Sequence, residues 1–213
     1  MSEPLPIAVL ISGGGTNLQA LIDAERSSSM GYRIAVVISD RPLVGGLERA
    51  AAASIATEVV DWAGFASREA FTDAICHSAE EHGAAGLVLA GFMRILAPRA
   101  MQRFPDAIIN IHPALLPSFP GARAVPLALE HGVTLTGVTV HFVDEQVDHG
   151  PIIAQEAVPV LPGDDADSLH TRIRIVEHRL YPRIVDAFGR GDLRVEGRHV
   201  RFAGIDDVSE AVS

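Results

Sequence analysis

Short, continuous runs of apolar residues punctuate the first half of the chain. They are four to eight residues long, rich in Ile, Val, Leu and Ala, and do not alternate with polar residues. Runs of this kind are typical of parallel strands that are buried on both faces. We therefore predict strands at IAVLIS (7–12), RIAVVIS (33–39), TEVVD (57–61), GLVLA (86–90) and AIINI (107–111).

Segments rich in helix-forming residues lie between these runs: TNLQALIDAE, GLERAAAA, SREAFTDAICHSAEE and APRAMQRF. Asn17 and Ser67 are candidate N-caps, because their side chains can accept hydrogen bonds from a first helical turn. Strands that alternate with helices form right-handed βαβ units. The pattern predicts an α/β fold with a Rossmann-like doubly wound sheet.

The pattern changes after residue 112. HPALLPSFPGARAVP holds four prolines and predicts a loop, and PLALEHG predicts a short helix. TGVTVHFV alternates between two faces, with PIIAQEAVPV as its partner, so these late strands should be antiparallel or at an edge. SLHTRIRIVEHRLYPRIVDAF predicts a long helix, which Pro182 should kink or divide. We expect one catalytic domain over residues 1–190 and a tail over 191–213 with a possible Glu-Gly hairpin.

Composition and net charge disfavour several classes of partner and exclude two kinds of cysteine chemistry. Lys and Arg total 17 against 27 Asp and Glu, a net charge of −10, which disfavours nucleic acid and anionic membranes as partners. The single cysteine, Cys76, excludes an internal disulfide and a cysteine-based metal site. The N-terminus lacks a signal-peptide pattern and no apolar run reaches 18 residues, so we expect a soluble cytoplasmic protein.

The first candidate site is the glycine cluster in ISGGGTNLQAL, between the first strand and the first helix. Backbone N–H groups there can bind an anion, and Thr16 and Asn17 add side-chain donors. The third glycine of a dinucleotide fingerprint is replaced by Leu18. Asp40 could still bind a ribose, so a nicotinamide-dependent oxidoreductase stays open, as does a turn without a ligand.

The second candidate is the pair Asn110 and His112, two residues apart at the end of a strand. They should project from the same face, at the sheet edge where α/β proteins bind ligands. An amide and an imidazolium there can stabilise a developing oxyanion. The alternative is that His112 merely ends the strand.

Two carboxylate regions complete the candidates. The turn VDEQVDHGP carries Asp144, Glu145 and Asp148, and a carboxylate that met His112 would raise its pKa. The alternatives are a solvated turn without a ligand and a metal site formed by Asp144, Asp148 and His149. Glu177 lies on an apolar helix stripe and needs a partner, either an arginine or a ligand amine or hydroxyl.

The motifs SGGGTNLQAL, SREAF, AGFMRIL, NIHPALLPSFPG, GVTVHFVDEQVDHGPIIAQ and GDDADSLHTRI…EHRLYP occur in this order. Together they closely resemble the phosphoribosylglycinamide formyltransferase family over about residues 7–190. The resemblance implies formyl transfer from 10-formyltetrahydrofolate, as cosubstrate, to the amine of glycinamide ribonucleotide, in purine biosynthesis. It implies small-molecule substrates, no required metal, and a monomer or homodimer.

The resemblance also implies residue roles. Asn110, His112 and Asp148 match the catalytic trio. Gly15, Thr16, Asn17, Arg174 and Glu177 match the ribonucleotide site. The folate site is matched by Arg68, Met93, Arg94, Ile95, Leu96, Asn110, Asp144, Val147 and Asp148.

Related enzymes remain as alternatives. A deformylase-like hydrolase uses the same folate but is expected to carry an extra N-terminal domain, and methionyl-tRNA formyltransferase an extra basic C-terminal one. The chain departs from the family at Arg123 and Pro126, where a histidine and a polar residue are common. The family resemblance therefore does not predict how that loop closes over the substrate.

Overall fold

The computed structural model describes residues 3–202. No helix in that range is both long enough and apolar enough to span a membrane. The strands are β1 Leu5–Ile11, β2 Tyr32–Ser39, β3 Thr57–Val59, β4 Gly86–Leu89, β5 Ile108–His112, β6 Leu135–Phe142, β7 Ile152–Pro159, β8 Leu193–Glu196 and β9 His199–Phe202. The α-helices are α1 Thr16–Ser27, α2 Gly45–Ala52, α3 Arg68–Glu81, α4 Arg99–Arg103, α5 Ala124–Glu130 and α6 Ala166–Arg190.

Seven strands form one sheet in the order β3-β2-β1-β4-β5-β6-β7. The pairs from β3 to β5 are parallel, whereas β6 and β7 are antiparallel to their neighbours. This confirms the predicted α/β class with late antiparallel strands, and only β7 of that pair lies at the edge. The carboxyl ends of β1, β4 and β5 therefore meet at one edge, where ligands bind in open α/β sheets.

The residues of β1 explain why the strand reads as a continuous apolar run. Ile7, Val9 and Ile11 pack on one face, in the same cluster as residues of α1 and α6. Ala8 and Leu10 pack on the other face with residues of α3. Helices cover both faces of the sheet, so successive side chains are buried on opposite sides.

Two local predictions need correction, and one is confirmed. Ser67 caps α3 by accepting from the Ala70 N–H. Asn17, however, lies inside α1, and the N-cap is Gly15, which gives no side-chain hydrogen bond. Pro182 does not divide α6, which runs unbroken for 25 residues. A buried proline inside a helix is tolerated when tertiary packing offsets its lost hydrogen bond, and Pro182 is buried among Tyr181 and Ile184.

The end of the described chain forms a two-stranded hairpin. β8 and β9 pair antiparallel, with Glu196 opposite His199. Gly197 has φ 63° and supplies the left-handed conformation that the turn requires. Residues 203–213 of the predicted tail lie outside the described residues.

Candidate active site

The glycine cluster forms a tight turn between β1 and α1. Gly15 has φ 71°, and a Cβ on it would lie 2.6 Å from the Cα of Gly46, so both its conformation and its space require glycine. Arg49 Nε donates to the Gly14 carbonyl over 2.8 Å. The turn thus presents the N-terminus of a 12-residue helix beside a cation, an arrangement that favours anions.

Ser12 joins this turn to the segment that follows β4. Its N–H donates to the Gly91 carbonyl over 3.2 Å, and its Oγ accepts from the Met93 N–H over 2.8 Å. The glycine turn and the predicted folate segment are therefore neighbours at the same sheet edge.

Asn17 reaches across to α6 and contacts Glu177. Its Nδ2 donates to Glu177 Oε2 over 3.2 Å, between residues 160 apart in the chain. Glu177 is 4% exposed, and burial raises its pKa although Asn17 and the charge of Arg174 oppose the shift. The Asn17 Oδ1 is buried without a hydrogen-bond partner within residues 3–202. Glu177 is thus hydrogen-bonded to the amide of Asn17 and, in the part of the chain that the structure describes, does not form the salt bridge to an arginine that was one of the alternatives.

Asn110 and His112 both line one cavity of about 300 Å³ at the carboxyl end of β5. Their two-residue spacing puts them on the same face of the strand, as the sequence predicted. The cavity is also bordered by Asp148, which the chain brings back from the loop after β6. The structure therefore brings together all three residues that were predicted as a trio.

Asp148 lies close to the side chains of Asn110, His112 and His141 and to the Gly121 N–H. Its Oδ2 lies 3.3 Å from His112 Nδ1 and accepts from the Gly121 N–H over 2.7 Å. Its Oδ1 lies 3.4 Å from Asn110 Nδ2 and 3.7 Å from His141 Nε2. Burial favours the neutral acid, but the nearby His141 and His112 rings and the hydrogen bond from the Gly121 N–H hold the pKa of Asp148 below its ordinary value.

His112 has an acceptor at each ring nitrogen. Nδ1 faces Asp148, and Nε2 lies 2.8 Å from the Phe119 carbonyl oxygen. A neutral ring can donate to only one of them, so donation to both requires the imidazolium. Burial nevertheless lowers the pKa of His112, and Asp148 and the Phe119 carbonyl only partly offset this shift. The effect of Asp148 agrees with the expectation that a carboxylate raises the pKa of His112, but burial has the larger and opposite effect.

His141 is a fourth polar member of the cluster, which the sequence analysis did not single out. It lies directly opposite Asn110 in the register between β5 and β6 and is 2% exposed. Its Nδ1 lies 2.7 Å from the Phe142 carbonyl, which assigns the proton to that nitrogen. In the neutral ring Nε2 is then an acceptor for Asn110 Nδ2, 3.2 Å away. His141 therefore orients the Asn110 amide.

Apolar side chains surround the rest of the cavity. Met93, Ile95 and Val147 are 58%, 50% and 48% exposed, although large apolar side chains are usually covered. Exposed apolar groups around a concave site fit a flat ring. Among the predicted folate residues, the lining contains Met93, Arg94, Ile95, Leu96, Asn110, Asp144, Val147 and Asp148. Arg68, at the start of α3, does not line it and faces Glu69 at 3.9 Å.

Asp40 is already paired within the protein. It is fully buried, and Arg94 Nε lies 2.7 Å from its Oδ2. The Arg94 guanidinium also lies 5.2 Å from the centre of the Trp62 ring. Because its carboxylate is enclosed and neutralised, Asp40 does not present a ribose-binding acid, and the nicotinamide interpretation loses its main support.

Arg123 and Pro126 are the two residues at which the chain departs from the family motif, and each has a local role in the fold. Arg123 is exposed and pairs with Glu130 at 2.6 Å. Pro126 falls in the first turn of α5, where a missing N–H removes no helical hydrogen bond. The loop before α5 still contacts the site, through Phe119 and Gly121.

The turn after β6 carries the residues of the alternative metal site, Asp144, Asp148 and His149. Within residues 3–202 there is no group of three or more His, Cys, Asp or Glu side chains arranged to hold a metal ion. Asp144 and His149 instead contact each other at 2.7 Å, while Asp148 faces the histidines of the cavity.

Comparisons with known proteins agree with this geometry. The formyl transferase family model matches residues 5–185. Phosphoribosylglycinamide formyltransferase of Escherichia coli is 41% identical over 94% of this chain and 93% of its own length. Trifunctional purine biosynthetic protein adenosine-3 of Bos taurus is 46% identical, but the chain spans only 19% of that protein. Glycinamide ribonucleotide transformylase 1 of Symbiobacterium toebii superposes with a TM-score of 0.92 at 48% identity, covering 95% of both chains. The chain therefore belongs to the phosphoribosylglycinamide formyltransferase family.

Proposed function

We propose that this chain transfers the formyl group of 10-formyltetrahydrofolate to the amine of 5-phosphoribosylglycinamide, giving formylglycinamide ribonucleotide and tetrahydrofolate. The reaction belongs to purine biosynthesis. The observation that carries the proposal is the 3.3 Å approach of His112 to Asp148, with Asn110 in the same cavity. Its chemistry suits acyl transfer, in which a carbonyl oxygen becomes an oxyanion.

In the proposed reaction the substrate amine attacks the formyl carbon, and the carbonyl oxygen gains negative charge. Asn110 Nδ2 carries two hydrogens, which face His141 Nε2 at 3.2 Å and Asp148 Oδ1 at 3.4 Å. In the proposed reaction the oxyanion takes the place of Asp148 Oδ1, while the hydrogen bond to His141 is kept. The formyl oxygen takes the place of the Phe119 carbonyl at His112 Nε2. Developing negative charge there raises the pKa of His112 during the reaction and offsets the effect of burial.

Asp148 is proposed to orient His112 and to stabilise the imidazolium through Nδ1. The proton leaves the attacking amine as the C–N bond forms, and the folate nitrogen must gain one as the old C–N bond breaks. Because Asp148 and the oxyanion occupy both ring nitrogens of the protonated His112, a water molecule bound in the cavity is proposed to pass the proton from the amine to the folate nitrogen.

The ribonucleotide is proposed to bind between the glycine turn and α6. Gly15, Thr16 and Asn17 would hold the phosphate with backbone N–H groups and side-chain donors. Glu177 would hold the glycinamide end, and Arg174 on the same helix would contribute positive charge. The unpartnered Asn17 Oδ1 can accept a hydrogen bond from a hydroxyl or the amine of this ligand, and buried acceptors are rarely left unbonded.

The folate is proposed to occupy the apolar cavity. The Met93 to Leu96 segment and the loop from Asp144 to Asp148 supply its walls, and the reactive nitrogen would lie toward Asn110. Arg68 remains a proposed contact for the far end of this ligand only, because it lies outside the cavity lining.

The test is a spectroscopic assay of tetrahydrofolate formation with both substrates present. We expect turnover in the unaltered protein, loss in His112→Ala, and full activity in His77→Ala, which changes an exposed histidine on α3. Formate release without the ribonucleotide would instead indicate a deformylase-like hydrolase. Turnover in His112→Ala equal to that of His77→Ala would refute the proposal.

We further propose that residues 1–190 form one catalytic domain and that the protein acts in the cytoplasm as a monomer or homodimer. Light scattering on the purified protein measures its mass in solution, and limited proteolysis tests the domain boundary. Cleavage confined to the region after residue 190, with residues 1–190 left intact, is the expected result.

A further inference from the structure

The hairpin formed by β8 and β9 reaches the loop that carries Asp148. Arg198, in the hairpin turn, donates from Nη2 to the His149 carbonyl over 2.8 Å. Its Nη1 lies 3.3 Å from both ring nitrogens of His149. An atom in the ring plane at equal distance from both nitrogens would collide with the Cε1–H between them. The guanidinium therefore lies against the ring face, as arginine often does on flat side chains.

His149 is held from its other side by Asp144. The His149 Nδ1 lies 2.7 Å from Asp144 Oδ2, and Asp144 Oδ1 accepts from the Gln146 N–H over 2.9 Å. Because a carboxylate only accepts, the Nδ1 of His149 carries the proton. Arg198, His149 and Asp144 thus form a chain of contacts that closes the loop from residue 144 to residue 149.

Asp148 needs such support, because its backbone is strained. It has φ 50°, in the left-handed region that residues other than glycine seldom adopt. Gly150 fixes one end of the loop, since a Cβ there would lie 1.9 Å from the Phe142 carbonyl oxygen. Behind the loop, however, lies a second cavity of about 250 Å³, bordered by Val147, Asp148, His149 and Arg198. The loop is therefore not backed by close packing on that side.

We infer that Arg198 is a positioning residue, which holds the 144–149 loop so that the Asp148 carboxylate stays in contact with His112. The inference rests on the proposed function, because the loop also forms one wall of the proposed folate cavity. Arg198 itself lies outside that cavity lining and is expected to touch neither substrate.

The matched control is Arg201→Ala, on the same hairpin. Arg201 is 74% exposed and pairs with Glu196 at 2.8 Å, so this variant removes the same charge without altering the loop. We expect Arg198→Ala to lower kcat/KM for the folate by about ten- to a hundredfold, because a small misplacement of a catalytic group can cost up to about a hundredfold. KM for the ribonucleotide should stay within about twofold. Arg198→Lys, which can still donate to the His149 carbonyl but cannot stack, should fall between the two.

Combining Arg198→Ala with His149→Ala should cost less than the sum of the two single changes, because both side chains belong to one chain of contacts. Amide hydrogen exchange provides a readout that does not depend on activity: Arg198→Ala should accelerate exchange in residues 144–150 while residues 193–202 stay protected. Kinetics and loop exchange in Arg198→Ala equal to those of Arg201→Ala would overturn the inference. An unaltered protein that fails to transfer formyl groups would overturn the proposed function instead, and the exchange result would still decide whether Arg198 positions the loop.

Discussion

His112 Nδ1 and Asp148 Oδ2 lie 3.3 Å apart, although the two residues are separated by 36 positions and belong to different elements. The contact opposes the effect of burial, which lowers the pKa of His112. Because the proposed reaction uses the imidazolium, kcat/KM should fall as the pH rises through a midpoint below the ordinary histidine value. Removing the Asp148 charge removes a contribution that raises this pKa.

The first prediction is that Asp148→Asn shifts the titration of the His112 ring to lower pH. NMR of the histidine ring protons measures the midpoint in both proteins, with the exposed ring of His77 as the internal reference. A midpoint that stays constant or moves to higher pH would show that Asp148 does not stabilise the charged ring.

A second prediction concerns turnover. Losing one donor to an oxyanion typically costs about 3–4 kcal/mol of transition-state stabilisation, or about a hundred- to a thousandfold in kcat. We expect losses of that order or larger for His112→Ala and for Asp148→Asn, with unchanged circular dichroism. Near-normal kcat in both folded variants would contradict the assigned roles.

A third prediction separates Gly15 from Gly14. Gly15 has φ 71° and a Cβ there would meet Gly46 at 2.6 Å, whereas a Cβ on Gly14 has no atom within 4 Å. Gly15→Ala should therefore lower stability by at least about 1 kcal/mol and should raise KM for the ribonucleotide far more than KM for the folate. Thermal unfolding and two-substrate kinetics test this, with Gly14→Ala as the matched control. Equal effects of Gly15→Ala on both KM values would count against a phosphate role.

The fourth prediction is that Asp40→Asn weakens both the fold and the folate cavity. The change leaves Arg94 without its buried counterion, and breaking such pairs is costly. Because Arg94 is 32% exposed and can regain water, we expect a loss of about 1–3 kcal/mol in the free energy of unfolding. KM for the folate should rise, since Arg94 lies in the cavity wall. Asp73→Asn removes the exposed partner of Arg99 and should change neither quantity.

The two-residue period of a strand was enough to predict that Asn110 and His112 share a face, and a glycine cluster between strand and helix was enough to predict the turn. His141 could not be found this way, because its contact with Asn110 depends on the register between β5 and β6. Asp40 invited a ligand-binding interpretation because its partner, Arg94, is 54 residues away in sequence. Periodicity therefore predicts which face a side chain occupies, while its partner depends on tertiary structure.

The fifth prediction concerns Glu177, whose pKa is raised by burial. A carboxyl with a raised pKa binds more protons in the folded state between its unfolded and folded values. Stability therefore falls as the pH rises through that window, and above it the buried charge is a net cost. Glu177→Gln removes the charge and keeps an acceptor for Asn17 Nδ2, while its new amide can donate to the unpartnered Asn17 Oδ1.

We expect Glu177→Gln to raise the free energy of unfolding at pH 8 by about 1 kcal/mol, the net contribution of a typical hydrogen bond. The gain should vanish as the pH falls below the ordinary glutamate value, where both states are protonated. Glu48→Gln, on the exposed side of α2, controls for the change in net charge. If the proposed function holds, KM for the ribonucleotide should rise in Glu177→Gln although the variant is more stable. The Glu177 carboxylate would then lower stability but bind the substrate, a common trade-off at functional sites. A loss of stability at pH 8 would instead mean that the ionised carboxylate supports the fold.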